Sequence, residues 1–166
     1  MMVKQSFLYV PKEKEIRTWY REIKKYKYGL EDNETIETFK ASIEEGAVVK
    51  KDYGIYYLTN IHDPIGNAYG HCFFWDKRVK ERNRDLVEMM EKAMDSFMLN
   101  RITVMIPAAN EITARWLQKN GLEIEGYMRA YMVYRKQLYD MYIFAYYSKH
   151  LKKNIDNTIL SESNTN

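Results

Sequence analysis

The stretch Arg101–Arg129, RITVMIPAANEITARWLQKNGLEIEGYMR, changes its hydrophobic period twice, and so reads as a strand, a helix and a second strand. The run Ile102 to Ile106 is rich in β-branched residues and favours extended backbone. Pro107 has no N–H to give to a ladder and ends the strand. Asn110 is placed to cap the following helix, because a short side-chain oxygen there accepts from the unpaired N–H groups of the first turn. Ile112, Trp116 and Leu117 supply the helix's apolar side, and Gly121 stops it by entering the left-handed region at no steric cost. A strand that passes directly into a helix start leaves a corner of free backbone N–H groups, which can hold a carbonyl oxygen.

Outward from this unit, residues Gln5 to Val10 read as a strand. Ile16, Trp19, Tyr20, Ile23 and Lys27 then recur at helical spacing. A second helix carries Ile36, Phe39 and Ile43, starts near Asp32 or Asn33 and ends at Gly46. Strands over 47–51 and 54–61 are joined by a turn around Asp52 to Gly54; His62 to Gly70 is a loop, and His71 to Trp75 is a strand. After a basic loop comes a long helix, with Asp85 as its candidate N-cap and Leu86, Met89, Met90, Ala93, Met94 and Phe97 on one side. At that spacing the methionines are core residues rather than a cofactor box. Two strands close the chain, Leu122 to Val133 and Leu138 to Ser148. Residues 1–150 form a single expected domain, and the polar stretch 151–166 lacks periodicity and is expected to be disordered.

With 166 residues, 46% of them hydrophobic, the chain suits one domain with a real core and would be crowded as two. The single cysteine, Cys72, excludes an intramolecular disulfide and fits a reducing compartment. The apolar start is broken by Lys4, Gln5 and Ser6, and the run Met141 to Tyr147 is only strand-sized. No secretory or membrane segment is therefore read, and the expected location is cytoplasmic. A net charge of +3, from 26 basic and 23 acidic residues, does not call for a nucleic-acid partner. The basic residues from Lys12 to Lys27 read as a solvated helix face, and no RNP-type or helix-turn-helix motif accompanies them. His62, His71 and Cys72 lack metal-ligand spacing, so no metal is expected.

The order Asn110, Ala114, Gly121-Leu122, Glu125-Gly126, Arg129 and Asp140 resembles the C-terminal half of the GCN5-related N-acetyltransferases. The likeness covers residues 68–148 and is greatest to the branch containing the ribosomal-protein-alanine acetyltransferases; Leu122 stands where that branch carries Phe. The resemblance implies an α/β (α+β) fold in which a mixed, mostly antiparallel sheet, splayed at its centre, is flanked by helices. It also implies transfer of acetyl from acetyl-coenzyme A to a primary amine on a protein or small molecule. No oligomeric state is implied.

In that family a glycine-rich turn cradles the pyrophosphate at a helix start. The corresponding segment here is Lys80-Glu81-Arg82-Asn83-Arg84-Asp85, and both glycines are missing. Asn83 tolerates left-handed backbone, and Arg82 and Arg84 offer guanidinium groups to phosphates. A carboxylate at Asp85 facing a phosphate at about 4 Å would cost about 4 kcal/mol at an effective dielectric near 20. As an N-cap, the same side chain would instead stabilise the helix by about 1 kcal/mol. The expected cofactor-binding set is Phe74 and Trp75 at the strand end, Lys80, Arg82, Asn83 and Arg84 in the loop, and Asn110 beside the pantetheine arm. For the chemistry the resemblance implies His71 as the base, on the strand flanking the split, and Asn110 as a rigid positioning group. The family's usual acid, a tyrosine seven residues after Asn110, is replaced by Leu117, leaving Tyr127 and Tyr131 as substitutes. Against this enzyme stands a second reading, a domain of the same fold that has lost catalysis and serves as a binding or structural module. The missing glycines and Leu117 favour that reading. Arg129 and Asp140 are expected to pair, or to share one network, across the last two strands.

Overall fold

The computed structural model describes residues 8–27, 29–76 and 80–148. Helix α1 (Glu13–Lys24) and helix α2 (Ile36–Glu45) come first, and they pack together because each carries an apolar stripe. Ile16, Trp19 and Ile23 of α1 meet Phe39 and Ile43 of α2 over Val48, Ile55 and Tyr57 of the sheet. The strand expected over residues 5–10 falls partly outside the described residues. Its visible end makes one ladder-like bond, from Tyr9 N–H to the Val48 carbonyl at 2.7 Å.

The second helix begins later than Asp32 or Asn33. Thr35 is its cap and exchanges bonds with Thr38, Thr38 N–H to Thr35 Oγ1 at 3.2 Å and Thr35 N–H to Thr38 Oγ1 at 2.9 Å. Asp32 is withheld from capping because its carboxylate is engaged elsewhere, by the N–H groups of Arg135 and Lys136.

Strands β1 (Ala47–Lys51), β2 (Gly54–Thr59), β3 (Asn67–Phe74), β4 (Arg101–Pro107), β5 (Glu123–Tyr134) and β6 (Gln137–Tyr147) form one sheet in the order β1-β2-β3-β4-β6-β5. Every neighbouring pair is antiparallel except β3 and β4. β3 starts earlier than the sequence suggests, at Asn67, so the segment expected to be a loop through Gly70 already lies in the sheet. A buried polar pair holds that early start: Thr103 Oγ1 of β4 donates to Asn67 Oδ1 at 2.8 Å.

Helix α3 (Arg82–Phe97) and helix α4 (Glu111–Lys119) cover the opposite face from α1 and α2. The stripe on α3, Leu86, Met89, Met90, Ala93 and Met94, is buried against Tyr56, Leu58, Ala68, Ile102, Ile106 and Phe144. Burying a side chain of this size contributes about 1.5–3 kcal/mol. α3 begins one turn before Asp85, after Glu81, so Asp85 is a first-turn residue and not the cap. α4 starts as read, with Asn110 Oδ1 accepting from Thr113 N–H, and Gly121 is left-handed at φ 85° just past its end. Ile112, however, is 80% exposed, and the buried positions of α4 are Ala114 and Leu117. No helix among the described residues is long and apolar enough to cross a membrane.

Candidate active site

The parallel pair at the centre of the sheet decides where a ligand can enter. β3 and β4 are in register only at Asn67 with Arg101, Ala68 with Ile102 and Tyr69 with Thr103. Beyond that point β3 continues to Phe74 paired only with β2, and β4 continues to Pro107 paired only with β6. The two strands therefore diverge, and the edges that face each other keep backbone N–H and C=O groups unspent on the sheet. Gly70 sits where the split opens, and a Cβ there would meet Ile102 Cγ2 at 2.8 Å. On the α3 side, beside Gly70, Cys72, Met89, Met90 and Val104, lies an apolar cavity of about 60 Å³.

Both helices that follow the diverging strands start at the mouth of this split. The α3 start carries four of the residues expected to hold a cofactor, and they differ in what they do. Phe74 ends β3 with its ring edge-on to Trp116 of α4 at 5.6 Å, and the Arg82 guanidinium lies 5.8 Å from each ring. Trp116 Nε1 donates to Asn83 Oδ1. Phe74, Arg82 and Asn83 thus converge with Trp116, which the sequence marks only as a core residue of α4, into one cluster spanning the mouth. The Arg82 guanidinium is within cation–π range of both rings, and its N–H edge is the part that suits phosphate oxygens. Arg84 is exposed, with Nε 3.6 Å from Asp85 Oδ1, and Lys80 is exposed as well. Trp75 lies apart from the cluster: its Nε1 donates to the Asp52 carbonyl at 2.6 Å, and its ring packs on the α1/α2 core.

Asp85 is turned inward. It accepts from Tyr53 Oη at 2.6 Å and faces Lys51 Nζ at 3.2 Å. Burial alone would raise its pKa, but the Tyr53 hydroxyl and the Lys51 ammonium outweigh burial and hold it below the ordinary carboxylate value. The carboxylate that would repel a phosphate is thereby neutralised within the protein.

His71 projects from β3 on the opposite, α1/α2 face, stacked on Tyr57 at 4.6 Å with Nε2 3.0 Å from Thr59 Oγ1. Crowding by protein disfavours its cation and lowers its pKa from 6.5 to about 4. The residue is nevertheless solvent-exposed, so solvent offsets part of that effect, and the imidazole is neutral near neutral pH. Burial pushes the neighbouring Cys72 thiol up to about 12, which makes it a poor nucleophile.

No family model matches the chain, and no curated protein matches it by sequence. Solved structures do match. The spermidine N-acetyltransferase SpeG of Vibrio cholerae, in complex with CoA and spermine, superposes with a TM-score of 0.67 at 12% identity over 84% of this chain and 94% of that one. A dodecameric structure of the same Vibrio cholerae enzyme gives 0.68 at 12% identity, over 90% of this chain and 99% of that one. A probable acetyltransferase gives 0.66 at 14% identity, covering 86% and 93%. The fold is that of the GCN5-related N-acetyltransferases.

Within this acetyltransferase fold the residues expected to share the chemistry do not meet at one point. Asn110 stands at the start of α4, three residues after β4 ends at Pro107, and so borders the split. His71 borders it from the α1/α2 side. Tyr127 lies two strands beyond β4, paired with Tyr142 on β6, which packs against the α3/α4 core. Its hydroxyl donates to Asp140, and that bond, together with burial, raises its pKa. Asp140 also accepts from Ala130 N–H at 2.8 Å. The expected Arg129–Asp140 pair is replaced by these two bonds: no ion pair joins them among the described residues, and Arg129 acts on Asp140 only through its charge. The cause is an irregularity in β5, where Met128 pairs with Met141 but the next pair is Met132 with Tyr139, so that Ala130 turns left-handed at φ 49° and aims its N–H at Asp140.

Proposed function

We propose that the protein transfers acetyl from acetyl-coenzyme A to a primary amine. The observation that carries this reading is the split between parallel β3 and β4, with the starts of α3 and α4 at its mouth. An extended, amide-bearing arm can lie along the unspent backbone edges, and its phosphates can reach Arg82, Arg84, Lys80 and the first N–H groups of α3. Asn110, held rigid as the α4 cap, is the polar group next to the arm. The pattern from Asn110 to Asp140 supports the ribosomal-protein-alanine acetyltransferase branch, in which a protein amine is the acceptor.

In the reaction the amine nitrogen attacks the thioester carbonyl carbon, the C–S bond breaks, and the thiolate takes up a proton. A lysine-like amine with pKa about 10.4 must first lose its proton, at a cost of about 4–5 kcal/mol at neutral pH. His71, neutral and facing the acceptor side, can receive that proton, but with a lowered pKa it supplies little driving force. Most of the acceleration must then come from holding amine and thioester together, an effect worth about 7–11 kcal/mol. Tyr127 stands off the split, and its proton is committed to Asp140.

Calorimetric titration with acetyl-coenzyme A tests this reading. The expected outcome is saturable binding, weakened by salt because exposed guanidinium groups carry part of it. Changing Arg82 and Arg84 together to Ala should weaken it by about 2–4 kcal/mol. Absence of heat and of any thermal shift with the wild-type protein would transfer the reading to a non-catalytic binding module. Unchanged affinity in the double variant would mean that the α3 start does not hold the phosphates.

A further inference from the structure

Two segments from opposite edges of the sheet are tied together in front of the split. The turn of the β5–β6 hairpin has Arg135 and Lys136 at its centre, both left-handed at φ 50° and 60°, flanked by the Tyr134–Gln137 pair. Neither is glycine, so the turn adopts a backbone that its residues disfavour. Both turn N–H groups donate to one side chain: Arg135 N–H to Asp32 Oδ1 at 2.8 Å and Lys136 N–H to Asp32 Oδ2 at 2.7 Å. Asp32 N–H in turn donates to the Val133 carbonyl at 3.2 Å. Asp32 lies between α1 and α2, whose core is built on β1 and β2, whereas the hairpin belongs to the far edge. Met132 and Tyr134 of the hairpin pack with Met141 and Met105, so the hairpin curls over the face of β4 opposite α3 and α4. A bond between those elements must cross in front of β3 and β4 where they diverge, on the face that carries His71.

We propose that Asp32 is a positioning residue that latches the 29–35 loop to the β5–β6 turn, forming an arch over the acceptor side of the split and restricting the acceptor to a linear primary amine or an extended chain end. This rests on the acetyl-transfer reading above. A slender chain can pass beneath an arch to reach the thioester; a rigid, ring-based amine cannot.

The test separates the latch from the reaction. Acetyl-coenzyme A affinity is measured for the wild type and for Asp32→Ala, Asp32→Asn and the double variant Arg135→Gly/Lys136→Gly. Thiol release is then followed with putrescine, an unstructured peptide with a free N-terminus, and kanamycin as acceptors. The wild type should favour the linear amines. Asp32→Ala should bind acetyl-coenzyme A unchanged, raise KM for the linear amines, and shift the linear-to-kanamycin ratio of kcat/KM by about tenfold or more toward kanamycin. The glycine pair, which keeps both N–H groups and enters the turn freely, should retain the wild-type ratio, and Asp32→Asn replaces the alanine variant if that one fails to fold. Amide exchange at Arg135 and Lys136 should be slow in the wild type and fast in Asp32→Ala. A folded Asp32 variant with an unchanged acceptor ratio overturns the proposal, as does a wild type that binds acetyl-coenzyme A but acetylates none of the linear amines or prefers kanamycin. A wild type that binds no acetyl-coenzyme A is a different failure, that of the acetyl-transfer reading.

Discussion

At the scale of single residues, Asp85 is the most instructive. A carboxylate at the start of α3 is costly if it faces a phosphate, and stabilising if it is tied down. Here it takes the Tyr53 hydroxyl at 2.6 Å, Tyr53 in turn lies 3.3 Å from Tyr56 Oη, and Tyr56 donates to the Arg82 carbonyl at 3.1 Å. Burial, and then the bond to Asp85, push the Tyr53 hydroxyl up to about 12, so it remains a donor throughout the working range. Asp85→Ala should leave that hydroxyl buried without its acceptor and cost about 1–3 kcal/mol, read as a lowered melting temperature. A variant as stable as the wild type would show that water replaces the carboxylate without loss. The carboxylate itself was legible in the sequence as a problem for phosphate binding; its solution was not, because Tyr53 and Lys51 lie more than thirty positions away and reach it only through β1 and β2.

At the scale of elements, periodicity read the helices well wherever one face alone is buried. The α3 stripe is the clearest case: Met90 is 5% exposed, within a row that is buried throughout. Met90→Asp should unfold the domain or sharply lower its thermal midpoint, since an unpaired charge would be forced among apolar side chains. An unchanged midpoint would require that face to look outward. Element boundaries were less legible. Asp32, Asn33 and Thr35 are all good caps by residue type, and the reciprocal bonds with Thr38 favour the last once Asp32 is drawn to the hairpin. Ile112 fits the helical spacing of α4 yet faces outward, because that helix turns Ala114, Trp116 and Leu117 toward the core.

At the scale of the whole molecule, charge ties the layers together, and pH tests those ties. Glu15 is held down to about 2, first by Lys50 and then by the Tyr9 hydroxyl and the Lys12 N–H, joining the start of α1 to β1. Crowding by protein lowers the His71 pKa below its ordinary value, though the residue is exposed. Both groups bind protons less readily folded than unfolded, so their contribution is complete above the unfolded value and lost as pH falls. Thermal stability should therefore decline first below about pH 6.5, through His71, and again below about 4.5 toward 2, through Glu15. His71→Gln should flatten the first decline and Lys50→Ala the second; identical curves in the variants would place the acid sensitivity elsewhere. The sequence by itself determined the order of elements from α1 onward, the core stripe of α3, the Asn110 cap and the resemblance to an acetyltransferase, because all of these rest on residues close together in the chain. Only the tertiary structure decided that β3 and β4 part after Tyr69 and Thr103, that Trp116 gathers Arg82 and Asn83, that Tyr127 is committed to Asp140, and that Asp32 reaches the hairpin. Those contacts join residues distant in sequence, and nothing in local propensity or spacing specifies which of several equally suitable partners a long-range hydrogen bond will take.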